Sequence, residues 1–208
     1  TPSVVLKDIS LIKYSQSKSL EWSPDEKTLL IQLENEKYQL FNLVDKTIQN
    51  LALETQVETI RTGWDADTLA KRKAFIEKID IPQDLQQQAV TKASLWAPDE
   101  KKFLYTKLNG KQTEYRVYNP EKPIPVGELV DTVVFATNTI DPQPQISWYS
   151  DSFHLILTEG NPAVDKRGTI YLIRIDGTNK TEIYNNTLYS KNIFVSPGGD
   201  KLVVLTSF

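Results

Sequence analysis

The chain of 208 residues has a single histidine, His154, and neither Cys nor Met. Histidine is the usual general base near neutral pH, so a Ser-His-Asp arrangement would have to use this one. In the internal repeat described below, its position is held by Thr28, Lys102 and Lys201. A polar residue in every copy predicts a solvated strand start rather than a base. No Gly-x-Ser-x-Gly elbow and no phosphate-cradling glycine loop occurs among the 8 glycines. The lack of Cys removes disulfides, thiolate ligands and Cys nucleophiles. Asp65 and Asp67 are the acidic pair nearest to a cation site, but no Gly or Glu follows at loop spacing. A helix cap is the preferred reading of that pair. The expectation is therefore a chain with no catalytic residues, no metal and no cofactor.

Aromatic and basic residues offer other chemistry. Four tryptophans invite a sugar- or peptide-stacking role. Trp22, Trp96 and Trp148 share one repeat position, which favours packing between repeats. Trp64 stands outside that register, so Trp64 and Asp65 are the candidate contact residues. Lys71-Arg72-Lys73 is a basic triplet among acidic neighbours, which reads as a solvated helix face rather than a nucleic-acid patch. The net charge of −3 agrees with no nucleic-acid partner. The triplets Asn179-Lys180-Thr181 and Asn185-Asn186-Thr187 match a glycosylation pattern that arises often by chance.

The elements that hold these residues follow from the repeat. Four segments align without gaps: they start at Trp22, Trp96, Trp148 and Val195. Pro24, Pro98 and Pro197 occupy one turn position, and Asp25, Asp99 and Asp151 the next, with Gly198 in the fourth copy. Pro presets φ in a turn and Asp or Gly suits the neighbouring dihedrals. Each turn leads into an apolar run such as Leu29-Leu30-Ile31, apolar on both sides of the pleat, so both faces of that strand must be covered. Third strands fit Tyr38 to Leu43, Tyr115 to Tyr118 and Ile170 to Ile175. Fourth strands fit Thr47 to Leu51 and Thr181 to Tyr184.

A four-stranded antiparallel unit of roughly 40 to 45 residues is a propeller blade. The spacing from Trp22 to Trp96 leaves room for a degenerate blade with Trp64 at its corner. The sequence thus predicts an all-β propeller of about five four-stranded blades, forming one domain over residues 1–208. The ring is either closed by strands in Ser3 to Ile12 or left as an open arc. A helical insertion is predicted around residues 67–88, capped by Asp67, with a second start at Asp80 and Pro82. No run of apolar residues suits a membrane-spanning helix, so no direct membrane insertion is expected. The first residue is Thr1, and the expectation is a piece of a longer polypeptide.

Trp-Ser-Pro-Asp followed by Lys and an apolar strand, with Tyr-x-Leu-Phe-Asn-Leu and Ile-Tyr-Leu-Ile-Arg-Ile-Asp-Gly-Thr, resembles the TolB-like and WD-type propeller repeats. The resemblance covers about four fifths of the chain. It is most similar to propellers of bacterial cell-surface proteins that carry PEGA-type β-modules. The stretch at Trp64 departs from the pattern, because Lys71-Arg72-Lys73 stands where an apolar strand belongs. The resemblance implies a non-catalytic binding or scaffold module with a protein partner, on an exported or surface protein. Contact regions would be the hairpin Glu159 to Gly168, the segment Pro123 to Pro144 and the helical insertion. Two alternatives remain at this stage: the propeller half of a prolyl-oligopeptidase-like hydrolase, and a sugar-binding propeller using Trp64.

Overall fold

In the computed structural model, residues 17–91, 94–121, 129–160, 162–188, 193–195 and 201–204 are described. Three sheets carry most of the chain. The first is the meander β1 (Ser17–Trp22), β2 (Thr28–Leu33), β3 (Tyr38–Asn42) and β4 (Ile48–Leu51). Two helices follow, α1 (Glu54–Ile76) and α2 (Gln83–Ala89). The second sheet is β5 (Leu95–Trp96), β6 (Phe103–Asn109), β7 (Gln112–Tyr118) and β8 (Asp131–Asn138). The third is β9 (Gln145–Trp148), β10 (His154–Glu159), β11 (Arg167–Arg174) and β12 (Thr181–Thr187), with the short helix α3 (Pro162–Asp165) in its central hairpin. A pair, β13 (Phe194–Val195) and β14 (Leu202–Val203), ends the described chain. The chain divides into two compact units, residues 1–74 and 75–208.

The repeated turn sets the first hairpin of each sheet. The Glu26 amide donates to the Ser23 carbonyl, Glu100 to Ala97 and Ser152 to Tyr149. The Asp carboxylate then accepts the amide two residues on: Lys27 for Asp25, Lys101 for Asp99 and Phe153 for Asp151. This local bond is why Asp recurs there. Glu26, Glu100 and Ser152 all take positive φ, between 54° and 61°. The expected Pro197 and Gly198 turn, and the strand material of Ser3 to Ile12, lie outside the described residues.

Second strands are buried on both faces, as their composition demands. In unit 1, Leu29 and Ile31 gather with Phe41 on one face, while Leu30 joins Leu51 and Val57 on the other. In unit 2, Leu155 and Leu157 share a cluster with Leu104, Val117 and Val134 of the second sheet. Ile156 faces the other way and packs with Ile170, Leu188 and residues beside β13 and β14. Sheet therefore lies on sheet within unit 2. Backbones come close at Gly177, φ +81°, where a Cβ would stand 2.9 Å from the Val134 carbonyl oxygen.

The degenerate blade expected between Trp22 and Trp96 is not formed. Helix starts at Glu54, thirteen residues before the expected Asp67 cap, and Asp67 lies inside α1. The sequence lacks Ser, Thr, Asp or Asn just before Glu54, and Gly63 costs about 1 kcal/mol in a helix interior. Two features override this. Gln56 reaches back so that its Oε1 accepts the Ala52 and Leu53 amides, both at 3.1 Å. Val57, Ile60 and Trp64 form a stripe against the first sheet, with Tyr38 and Leu40. In unit 2, Ile76, Ile81, Leu85 and Ala89 cover the Phe103, Tyr105 and Tyr118 face of the second sheet. The second helix, expected from Asp80 and Pro82, forms directly after Pro82. Strand β8 falls within the segment Pro123 to Pro144, which the sequence offered only as a contact region.

Two substitutions test this packing. Leu157→Ala removes a fully buried side chain and should lower unfolding free energy by about 2–5 kcal/mol, read from guanidinium unfolding. Gly177→Ala should cost about 1–3 kcal/mol through the unfavourable φ and the close carbonyl. An unchanged midpoint would refute the close approach.

Candidate functional site

The repeat residues form a ladder of turn contacts rather than a cleft. Trp96 lies between Phe75 and Phe103, ring centroids 5.7 and 5.2 Å away, and its Nε1 donates to the Ala89 carbonyl at 2.8 Å. Trp148 Nε1 donates to the Leu95 carbonyl of the preceding sheet at 2.8 Å. Both therefore anchor a strand to the element before it. Trp22 differs: it is 51% exposed, beside the equally exposed Leu20 on β1. Val195 contributes to the cluster around Ile156 and Ile170. Trp64 is half-buried against the first sheet, and Asp65 beside it is exposed on α1.

The position expected to be wet is not wet in every copy. Lys102 is fully buried, and its ammonium meets Asp99 and, at 2.7 Å, Glu121. It also stands 4.5 Å from the centre of the Phe153 ring. The Asp99 amide donates to Ser152 Oγ at 3.0 Å, so turns of the second and third sheets interlock. The repeat reads this position as a solvated strand start, and it misses the burial of Lys102 because the second partner, Glu121, comes from a different hairpin. In the third copy His154 Nδ1 lies 2.6 Å from Asp151 Oδ2, which repeats the Lys102–Asp99 pairing. Partial burial works to raise the Asp151 pKa, but the Phe153 and His154 amides and the imidazole hold it below the ordinary carboxylate range. The histidine is thus tied into its own turn.

A second polar cluster was invisible in the sequence, because it spans three strands. Arg116 holds Asp131 with Nε and Nη2, both at 3.1 Å, and Glu114 with Nη1 at 2.7 Å. The Tyr105 hydroxyl donates to Asp131 at 2.8 Å, and burial pushes its phenol well above the ordinary range. Arg116 lies opposite Val133 and Asp131 opposite Tyr118, so the ion pair runs diagonally across the β7–β8 pair. Among the described residues no group of three His, Cys, Asp or Glu side chains is placed to hold a metal ion.

Unit 1 offers concave surface. A groove of about 500 Å³ runs beside β4, lined by Glu36, Lys37, Tyr38, Asn50, Leu53 and Glu54, among others. Among the described residues β4 pairs with β3 alone within its sheet, which makes it an edge strand. Leu53, at the mouth, is 61% exposed. Nothing in the spacing of residues announces this groove, because it needs the chain to turn into α1 just after Leu51.

These sheets define the class: a propeller-like all-β protein, built of four-stranded antiparallel meanders whose second strands are buried on both faces. Solved structures similar to it include TolB from Acinetobacter baumannii, 14% identical over 90% of this chain and 50% of that one, with a TM-score of 0.37. Acylaminoacyl peptidase from Pyrococcus horikoshii is 11% identical over 87% and 26%, with a TM-score of 0.30. Prolyl oligopeptidase B from Galerina marginata is 13% identical over 88% and 23%, also at 0.30. The chain spans half or less of the length of these proteins. No family model matches it, nor does any curated protein sequence.

The Lys102 site gives a pH test. The Lys102 ammonium bonded to Glu121 outweighs partial burial and holds that carboxyl below its ordinary range. A depressed folded pKa gives stability that is full above the unfolded carboxylate range and is lost as pH falls through the folded value. Glu121→Gln should destabilise by about 1–3 kcal/mol at pH 7 and flatten the loss of melting temperature between about pH 5 and 3. A second change, Lys102→Met, should recover most of the deficit.

Proposed function

We propose that the chain is a non-catalytic propeller-type binding module, part of a longer exported or cell-surface protein, that captures an extended segment of a partner protein. The groove beside β4 carries this reading. An edge strand next to a recess is what strand addition uses: main-chain bonds give affinity, and side-chain recesses give selectivity. Tyr38 and Leu53 supply apolar contact, and Glu54 and Lys37 the polar flanks.

The intact parent protein tests the reading. Capture of its partner, measured as binding to the purified chain, should fall at least about tenfold on Leu53→Asp, because a buried charge opposes an apolar contact. It should be unaffected by His154→Ala. Peptide hydrolysis by the parent that depends on His154 would overturn the proposal, and so would a partner that binds the Leu53→Asp variant as tightly as the unaltered protein.

A further inference from the structure

Three aliphatic side chains stand in solvent at one end of unit 2. Leu108 is 72% exposed, Ile140 91% and Val164 73%. Topology puts them together. Leu108 closes on the β6–β7 hairpin and Ile140 lies in the β8–β9 connection, and the Thr139 amide donates to the Lys111 carbonyl at 2.9 Å, which joins the two loops. Strand β9 then opens with Gln145, paired with Thr158 near the end of β10. The β10–β11 hairpin, which carries Val164 on α3, therefore emerges at the same end.

Charge at this end runs against the rest of the chain. Lys107 near the end of β6, Lys111 and Lys166 in the hairpins and Arg167 at the start of β11 are all exposed. Nearby Glu114 and Glu159 are engaged by Arg116 and Lys180. Asp141 and Asp165 are the other carboxylates of the loops, so positive charge is in excess there on a chain of net −3.

We propose that this end of unit 2 docks on an anionic lipid surface, with Leu108, Ile140 and Val164 entering the headgroup region and the cations meeting lipid phosphates. Protein-binding hot spots favour Trp, Tyr and Arg seated in pockets, and Leu and Val are under-represented among them. Here the apolar groups are aliphatic points on separate loops. A bilayer receives such points without needing a matching shape, and basic neighbours add attraction to anionic lipid. The sequence expectation of no membrane insertion concerned spanning segments, and no helix among the described residues is long and apolar enough to cross a membrane. Adsorption is a different relation, and it is independent of the unit 1 groove.

Co-sedimentation of the purified chain with vesicles tests the proposal. It should pellet with phosphatidylcholine vesicles containing about a third phosphatidylglycerol, not with phosphatidylcholine alone, and less as salt rises. The combined variant Leu108→Asn, Ile140→Asn, Val164→Asn should bind at least about tenfold more weakly, as should Lys107→Gln, Lys111→Gln, Arg167→Gln. Leu129→Asn, at the opposite end of the second sheet and 66% exposed in the parent, should bind as the parent does. All these sites are exposed, and unchanged melting temperatures should accompany the binding losses. Absence of pelleting with anionic vesicles would refute docking, as would full binding by the aliphatic variant. Displacement by soluble polyglutamate with the aliphatic residues immaterial would instead assign this end to an acidic protein.

Discussion

Burial of the second strand of each sheet on both faces is the constraint on which this molecule depends. A strand such as Leu155-Ile156-Leu157 presents apolar groups up and down, and a single sheet can shelter neither side by itself. Each such side chain, once withdrawn from water, contributes on the order of 1.5–3 kcal/mol. The chain meets the requirement in two ways. Within unit 2, neighbouring sheets lie face to face, through Leu104, Val117 and Leu157. On the Leu30 face of the first sheet and the Phe103 face of the second, helix does the covering. The helices are therefore substitutes for sheet in a structural role, rather than ornaments on a loop.

Polar groups follow from that packing. When sheets approach closely, the turns at their ends are brought together too, and charges there must be matched. Lys102 is the clearest case: an ammonium removed from water is tolerable because two carboxylates and an aromatic face surround it. The Arg116 cluster does comparable work within one sheet, tying three adjacent strands together. Both clusters are held by ion pairs and hydrogen bonds within the fold.

Much of the fold was legible in the sequence, and the reasons are local. The Trp-x-Pro-Asp turns announce themselves because the Asp bonds a backbone amide two residues away, an interaction encoded in adjacent letters. Apolar triplets reveal doubly covered strands for the same reason. What escaped notice was non-local. Helix α1 begins without a conventional cap and runs through Gly63, so its start depends on Gln56 reaching backward and on the sheet that receives Val57 and Trp64. The burial of Lys102 depends on Glu121, nineteen residues on, and the groove beside β4 on the point where the chain leaves its sheet. Trp22 shared the repeat position of Trp96 and Trp148, yet its degree of exposure was set by surroundings that the repeat does not encode.

The enclosed ammonium also bears on how this chain can diverge. Asp99 and Lys102 share one turn and Glu121 lies in another, yet losing either carboxylate leaves the buried ammonium short of a partner. Replacement by neutral residues must then proceed through a disfavoured single-site intermediate, or through changes at two positions together. Drift at these three sites should accordingly be slow and correlated, in contrast to the freely variable hairpin tips on the same sheets.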